Sequence, residues 1–304
     1  MQVSIIIVNY NTKQLLCNCL NSIYSHTKDI TFEVIVSDNG STDDSIEMLK
    51  TEFPQVILIE NNQNLGFGAA NNKALKIAKG KYIFYLNSDT VLLNNAVKLF
   101  FDYWENSPEK EKIGALGTNL LDENMKITHS FGNFASYKIA LKQLLKMFFL
   151  NIVLSIFYLL HINPKKKYQN KYQKKYIGPV EYITGADLFL LNNSYAKFDE
   201  NFFLYFEEAD LQLQLKNSTK KLCYIIDGPL IQHFCGGSVN TNFNIKRKAS
   251  FSRIQFEISR IKFLKKNYNS PFLLFLAKLS VTLIWLNPFL IKHTLKYILS
   301  IWKI

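Results

Sequence analysis

At 304 residues and 48% hydrophobic composition, the chain can bury a sizeable core as one large domain or one domain with an appendage. Its net charge of +12 is uneven: residues 1–134 carry 11 Lys+Arg against 15 Asp+Glu, a net of −4, and residues 135–304 carry 25 against 9, a net of +16. Cys17, Cys19, Cys223 and Cys235 show no C-x-x-C spacing, which argues against a zinc site or a disulfide framework and fits a reducing compartment.

The first ninety residues predict strand and helix in alternation. Ser4-Ile5-Ile6-Ile7-Val8 is apolar and stops at Asn9. Starting at about Val3, this strand leaves no room for a signal peptide, so the cytoplasmic side is expected. Leu15, Leu16, Cys19, Leu20 and Ile23 then recur at helical spacing, with Thr12 as the expected cap. A second strand, 32–36, stops before Asp38, and the turn cluster Asp38-Asn39-Gly40-Ser41-Thr42-Asp43 leads to a short helix through Ile46, Met48 and Leu49. A third, 56–59, stops before Asn61. Gly66-Phe67-Gly68 then opens a helix carrying Ala70, Ala74, Leu75 and Ile77, closed by Gly80. A fourth, 82–86, runs into Asn87-Ser88-Asp89. Alternation of this kind predicts a parallel α/β sheet, whose strands gather their carboxyl ends along one ligand-binding edge.

From about residue 113 the pattern is mixed. Strands are expected over 113–121, 180–191 and 222–231, with a helix from about Phe206 carrying Leu211, Leu213 and Leu215. Two segments do not read as soluble core. In 137–175, Lys138, Lys142 and Lys146 share a helical face, residues 147–162 hold no charged side chain, and 165–175 holds six lysines and two tyrosines. In 271–304, residues 272–291 carry one charge, Lys278, and Asn287-Pro288 interrupts the run. Sixteen residues fall short of the ~20 that span a bilayer. Both segments are expected to lie in the membrane surface with lysines toward anionic headgroups. A buried helix with a solvated loop, and a true C-terminal span, are the alternatives. Because the lysines adjoin apolar runs, lipid rather than nucleic acid is the expected partner.

Three strand ends carry chemistry. Asp38 can accept hydrogen bonds from a nucleobase or ribose, or can cap the next helix. Gly66-Phe67-Gly68 follows the third strand and lacks a third glycine, so it is not the dinucleotide fingerprint. Its glycines allow close backbone approach at a helix N-terminus, suited to an anionic ligand or to a plain turn. Asp89, on a short turn after a buried strand, can hold a divalent cation against a diphosphate, or form the turn alone.

Together, 3–11 with its N-Y-N ending, the Asp38-Asn39-Gly40-Ser41-Thr42-Asp43 turn, 64–72 and Leu86-Asn87-Ser88-Asp89 resemble, in order, the motifs of family 2 glycosyltransferases. These are inverting enzymes of the GT-A fold, and the closest likeness is to rhamnosyltransferase-like bacterial members that build cell-surface polysaccharide such as O-antigen or capsule. Downstream, Thr184-Gly185-Ala186 resembles the family's G-A turn beside the acceptor. Residues 202–210, Phe-Phe-Leu-Tyr-Phe-Glu-Glu-Ala-Asp, resemble its F-F-x-Y-x-E-D-x-D segment, and His233 to Ser238 its H-x-x-G-x-S. The likeness extends to about residue 265. It departs at Asn87, where D-x-D has its first Asp, and at Glu208, where the family more often has Asp.

The resemblance implies a GT-A catalytic domain over 1–240. Within it, 1–112 would bind the nucleotide sugar and 113–240 the acceptor, with 137–175 as a membrane-associating insertion and 241–304 as a helical membrane-associating region. Asn9, Asn11, Asp38, Asn39, Asn64, Gly66, Gly68, Asn71, Asn87, Ser88 and Asp89 would line the donor site. Asp89 and His233 would hold Mg²⁺ or Mn²⁺. Thr184, Gly185, Ala186, Glu207 and Asp210 would face the acceptor, and Glu208 would be the general base, which inversion by direct displacement requires. The implied donor is a nucleoside-diphosphate sugar, dTDP-rhamnose first and a UDP-hexose second. The implied acceptor is a lipid-linked glycan at the inner face of a bacterial membrane. A sugar nucleotidyltransferase would need a Gly-rich, basic loop after the first strand, where Asn9-Tyr10-Asn11-Thr12 stands. A non-catalytic, membrane-bound sugar-nucleotide-binding protein is the remaining alternative.

Overall fold

The computed structural model describes residues 1–139, scattered positions between 142 and 160, and then 174–234, 251–286 and 291–304. The expected 137–175 insertion therefore lies mostly outside the described residues. The chain divides into two compact units. One comprises the described parts of Met1–Phe134, Lys171–Phe203 and Glu207–Val239; the other comprises those of Ala135–Asn170, Leu204–Phe206 and Asn240–Ile304.

In the first unit, four strand–helix steps follow as expected: β1 (Val3–Asn9), α1 (Lys13–His26), β2 (Phe32–Asp38), α2 (Ser45–Glu52), β3 (Ile57–Glu60), α3 (Phe67–Leu75), β4 (Tyr82–Leu86), a short β5 (Thr90–Leu92), and α4 (Ala96–Asn106). Helix α3 ends before Ile77, which is exposed. The second half supplies β6 (Ile113–Thr118), β7 (Phe131–Gly132), β8 (Gly178–Val180), β9 (Tyr182–Ile183), β10 (Asp187–Leu191), α5 (Glu207–Thr219), β11 (Leu222–Ile226) and β12 (Ile231–His233). Two expected strands are thus broken. The 180–191 run bends at Thr184-Gly185-Ala186, and the 222–231 run at Asp227 to Leu230, where Gly228 takes a φ of +107°.

The main sheet runs β3-β2-β1-β4-β10-β6-β11-β8. Strands β1 to β4 are mutually parallel, whereas β10 inserts antiparallel between β4 and β6, so the sheet is mixed. Successive side chains point to opposite faces, and both faces are covered, which is why the strands read as unbroken apolar runs. Ile5, Ile7, Val34, Val36 and Phe84 pack on one face against Leu16, Leu20 and Ile23 of α1 and Phe100 and Trp104 of α4. Ile6, Ile35, Ile83 and Tyr85 pack on the other with Ala74 of α3 and Leu211 of α5.

In the second unit, α6 (Phe251–Asn267), α7 (Pro271–Trp285) and α8 (Ile291–Lys303) share a core of Ile254, Ile261, Leu264, Ala277, Val281, Trp285 and Ile301. Pro271 starts α7, where its missing N–H costs nothing. Among the described residues no helix is long and apolar enough to cross a membrane.

Candidate active site at the carboxyl edge of the sheet

Parallel register sets Asn9 of β1 beside Asp38 of β2. Asp38 is fully buried and its carboxylate is saturated. Oδ2 accepts from Asn9 Nδ2 (2.7 Å) and Ser41 Oγ (2.7 Å), and Oδ1 from the N–H groups of Gly40 (3.0 Å) and Ser41 (2.8 Å). This residue folds the 38–41 turn. The turn fixes Asn11, whose N–H donates to Ser41 Oγ (2.9 Å) and whose Oδ1 accepts from the Thr42 N–H (2.7 Å). Thr12 stands at the N-cap of α1 but makes no capping bond. Its hydroxyl bonds Asn9 Oδ1 (2.6 Å) and meets Ser88 Oγ at 3.0 Å, while Asp43 Oδ2 accepts the Lys13 N–H instead (2.8 Å). Asp43 Oδ1 also accepts the N–H and the hydroxyl of Ser45 at the start of α2 (3.3 and 2.5 Å).

Asn39 ties this turn to the next strand end. Its amide donates to Gly66 O (3.2 Å) and Asn64 Oδ1 (3.4 Å), and Asn64 Oδ1 accepts the Gly66 N–H (3.0 Å). The two glycines admit protein rather than open a space for an anion. A Cβ on Gly66, whose φ is +88°, would fall 2.4 Å from Phe203 O, and one on Gly68 would fall 3.0 Å from the Phe198 Cβ. The Phe67 N–H, at the start of α3, already donates to Phe203 O (2.9 Å). Asn71 bonds back to Phe67 O (3.0 Å) and is buried. Asn72 bonds Phe198 N and O, stitching α3 to the segment before residue 203.

The Asn87-Ser88-Asp89 turn is built from several directions. The Asn87 N–H donates to Ala186 O (3.1 Å), and Asn87 O accepts from the Thr90 hydroxyl (2.8 Å). Strand β12 pairs antiparallel with β5, setting His233 opposite Thr90, and the Phe234 N–H donates to Asp89 O (2.9 Å). The result places His233 Nε2 3.2 Å from Asp89 Oδ1, with both side chains partly exposed. An imidazole and a carboxylate facing each other at that separation are suitable donors for Mg²⁺ or Mn²⁺. Among the described residues no three His, Cys, Asp or Glu side chains converge to hold a metal alone. A cation here would therefore complete its shell with phosphate oxygens and water. The residues fit such a shared site.

The Thr184-Gly185-Ala186 bend joins this turn to the acidic segment. Ala186 O receives Asn87, and a Cβ on Gly185 would lie 3.7 Å from the Glu208 Cβ. Gln212 docks α5 by a two-bond bridge to Ile183, donating to its O and accepting from its N–H, both at 2.8 Å. Glu207 and Asp210, three apart on one face of α5, are buried and not open to an acceptor from solvent, whereas Glu208 is half-buried. Burial and the charge of Glu208 push the Tyr182 hydroxyl up to about 12, so that phenol stays protonated near it. Just before α5, Tyr205 and Phe206 both have a φ of +69°. Bulky side chains in that region cost about 1–3 kcal/mol each.

Sequence reasoning assigns Thr12 only a cap and Ser41 and Asp43 only a turn, and it does not single out Thr90, Gln212 or Asp187, all of which build this edge. A capping or docking role depends on partners distant in sequence, and these residue types are common everywhere. Asp187 starts β10 at the same edge, fully buried. Its Oδ2 accepts the Thr118 N–H (2.7 Å), and its Oδ1 has no hydrogen-bond partner among the described residues. Burial raises this carboxyl well above its ordinary range, against the Thr118 bond and the charge of His233. A raised folded-state value means the folded protein binds more protons than the unfolded one between the two values, so stability is fullest at acid pH and falls as pH rises. Asp187→Asn keeps the acceptor for Thr118 and cannot ionise. The stability difference, variant minus wild type, is expected to grow from near pH 4 upward, by at most about 1.4 kcal/mol per pH unit. Denaturant titrations at several pH values check it; parallel curves would refute it.

The family model for Glycosyl transferase family 2 matches residues 4–146, which include the strand ends from Asn9 to Asp89. The poly(ribitol-phosphate) beta-glucosyltransferase of Bacillus spizizenii is 34% identical over 121 residues, 38% of this chain and 19% of that protein. The UDP-Glc:alpha-D-GlcNAc-diphosphoundecaprenol beta-1,3-glucosyltransferase WfaP of Escherichia coli is 40% identical over 121 residues, 36% of this chain and 47% of that one. The chain thus spans less than half the length of either relative. In fold it is similar to the mannosyltransferase PcManGT of Pyrobaculum calidifontis, solved with GDP-Man and Mn²⁺, with a TM-score of 0.54 at 14% identity over 93% of this chain and 72% of that one. With its motifs set along one sheet edge, the region 4–146 is matched by glycosyl transferase family 2, and the chain has the GT-A fold.

Proposed function

We propose that this protein transfers a sugar from a nucleoside diphosphate to a hydroxyl of a lipid-linked glycan, with inversion. The observation that carries the reading is the gathering at one sheet edge of the Asp38 turn, the Asp89–His233 pair and Glu208. The Asp38 turn, with Asn9, Asn11, Asn39 and Asn64, forms a polar, preorganised wall for the nucleoside. Asp89 and His233 would hold Mg²⁺ or Mn²⁺ when the donor binds. When bound, the cation neutralises charge on the leaving group. Glu208 takes the proton from the acceptor hydroxyl as it attacks the anomeric carbon. The donors put first are dTDP-rhamnose, from the order of the motifs, and a UDP-hexose, which the name of the Escherichia coli relative supports.

The test is thermal denaturation across dTDP-rhamnose, UDP-Glc, UDP-GlcNAc and GDP-Man, with and without Mn²⁺. A ligand that binds only the folded state stabilises it by about 2.7 kcal/mol at one hundred times its Kd. One of these donors is expected to raise the Tm with metal present, and to be consumed slowly on long incubation. Donor binding with no turnover against any hydroxyl acceptor would favour the non-catalytic alternative.

A second reading concerns place. We infer that the helical unit lies on the cytoplasmic face of an anionic membrane. Leu295, Leu299 and Trp302 recur at four- and three-residue spacing on α8 and are exposed, and Trp302 meets the exposed Phe275 of α7 edge-on at 5.6 Å. Lys278 lies over the Trp302 ring, so a basic group borders the apolar patch. An apolar stripe with lysines beside it suits the headgroup boundary of anionic lipid. Flotation with phosphatidylglycerol vesicles should carry the wild type and lose the Leu295→Ser/Leu299→Ser variant several-fold. Equal flotation of the two, or equal binding to neutral vesicles, would overturn the reading.

A further inference from the structure

Strand β9 carries Tyr182 next to Ile183. Ile183 is buried in the core, so by alternation Tyr182 turns to the opposite face. Directly across from it in β7 stands Gly132. A Cβ there would fall 2.6 Å from the Tyr182 hydroxyl oxygen and 2.9 Å from its Cζ. Gly132 does not take a left-handed φ, so the backbone makes no demand for glycine at this position. What its bare α-carbon admits is the tip of the Tyr182 ring. Phe134 stacks on the same ring, with 5.8 Å between centroids and 26° between planes, and its N–H donates to Glu181 Oε2 (2.6 Å). Gly132 and Phe134 thus fix where the phenol ends.

That end has more than a packing role. The phenol is only partly exposed, yet among the described residues its hydroxyl has no hydrogen-bond partner, which a tyrosine hydroxyl so placed ordinarily finds. It also stands beside Glu208. Gln212, one turn along α5 from Glu208, donates to Glu208 O (3.0 Å) and to Ile183 O (2.8 Å), and a Cβ on Gly185 would lie 3.7 Å from the Glu208 Cβ. Burial and the charge of Glu208 hold the phenol protonated, so at neutral pH it is a donor. A second hydroxyl is unspent on the same face. The Thr184 N–H extends the strand pairing to Ser130 O (3.0 Å), and Thr184 Oγ1 is buried with no partner among the described residues.

We propose that Tyr182 is a specificity-determining residue for the acceptor: its hydroxyl donates to an oxygen of the sugar ring whose neighbouring hydroxyl Glu208 deprotonates. The inference rests on Glu208 acting as the base. A sugar ring suits this corner, because it offers C–H surface to an aromatic side chain while its hydroxyls meet a donor and a carboxylate. An open polyol chain holds no such fixed face. The acceptor residue is therefore a pyranose.

The test uses the full chain, with methyl α-rhamnoside, methyl β-glucoside, methyl β-N-acetylglucosaminide and ribitol as probes, read by saturation-transfer NMR. The wild type is expected to pass saturation to a pyranoside and little to ribitol. Tyr182→Phe keeps the ring and loses only the hydroxyl, and should bind that pyranoside about five-fold more weakly, the scale of one neutral hydrogen bond. Gly132→Ala, which displaces the ring tip, should weaken binding likewise. The donor-induced rise in Tm should be the same in all three proteins. In the transfer assay acceptor KM should rise in both variants with donor KM unchanged. A wild type that saturates no pyranoside in preference to ribitol overturns the inference, and so do variants that bind the pyranoside as the wild type does. A Tyr182→Phe variant that also loses the donor-induced shift assigns Tyr182 to the fold of the edge and overturns it too. A protein that binds pyranosides through Tyr182 but turns over no donor defeats the transferase reading and leaves the sugar site standing.

Discussion

Glu208→Gln is expected to lower turnover by about 10² to 10⁴-fold, the usual contribution of a positioned general base, while donor affinity stays within a factor of two. On the barrier this is about 2.7–5.4 kcal/mol. The substitution keeps shape and one acceptor oxygen, and removes the ability to take a proton. Three acids crowd the first turn of α5, and burial separates them. Glu207 and Asp210 are closed off from solvent, whereas Glu208 is half-buried beside the Gly185 bend. The pH profile gives an independent readout. A base must be ionised to act, so wild-type kcat/KM should rise with pH along an acid limb that the Gln variant lacks. Steady-state rates, donor titration and the two pH profiles together decide the matter. A variant that keeps its turnover, or keeps the acid limb, removes Glu208 from the role.

The expectation of a nucleotide-binding α/β half rested on strands whose apolar runs are continuous because both sheet faces are covered. That signal is local and strong, and β1 to β4 follow it. It weakened where the chain reverses. Strand β10 is antiparallel to its neighbours and is cut from β9 by the Thr184-Gly185-Ala186 bend, which an apolar run from 180 to 191 does not announce. The site was legible as a set of strand ends, but the partners of each side chain were not. Asp38 looked like a free acceptor, yet Asn9, Gly40 and Ser41 saturate it, so what it does in this structure is hold the shape of the turn. Gly66 and Gly68 read as room for a ligand, and the chain at Phe203 and Phe198 occupies that room. Thr12 had the residue type and place of a helix cap, but its hydroxyl went to Asn9 and Ser88, because Asp43, thirty residues on, reaches the Lys13 N–H. In each case the sequence carried the chemistry of the group, and the choice among competing partners was made by tertiary contacts.

The Asp89–His233 pair yields the second large effect. Asp89→Ala should weaken Mn²⁺-dependent donor binding by at least about 10-fold, the scale on which even the supporting residues of a metal site act, and His233→Ala should do the same. Because each side chain is the other's neighbour at 3.2 Å, removing either also frees the survivor to turn away. The two losses should therefore not add, and the double variant should bind little worse than either single one. The chelator control separates a metal role from a structural one. In EDTA the wild type and all three variants should bind the donor equally weakly, since the nucleoside wall around Asp38 is intact in each. The backbone supports this independence, because the bond from the Phe234 N–H to Asp89 O and the pairing of β12 with β5 do not use the substituted side chains. Calorimetric titrations of donor with Mn²⁺ and with EDTA give the four affinities on both arms. If Asp89→Ala matches the wild type in saturating Mn²⁺, the cation sits elsewhere. If the variants also lose the metal-free binding, Asp89 and His233 hold up the fold of this edge and no cation.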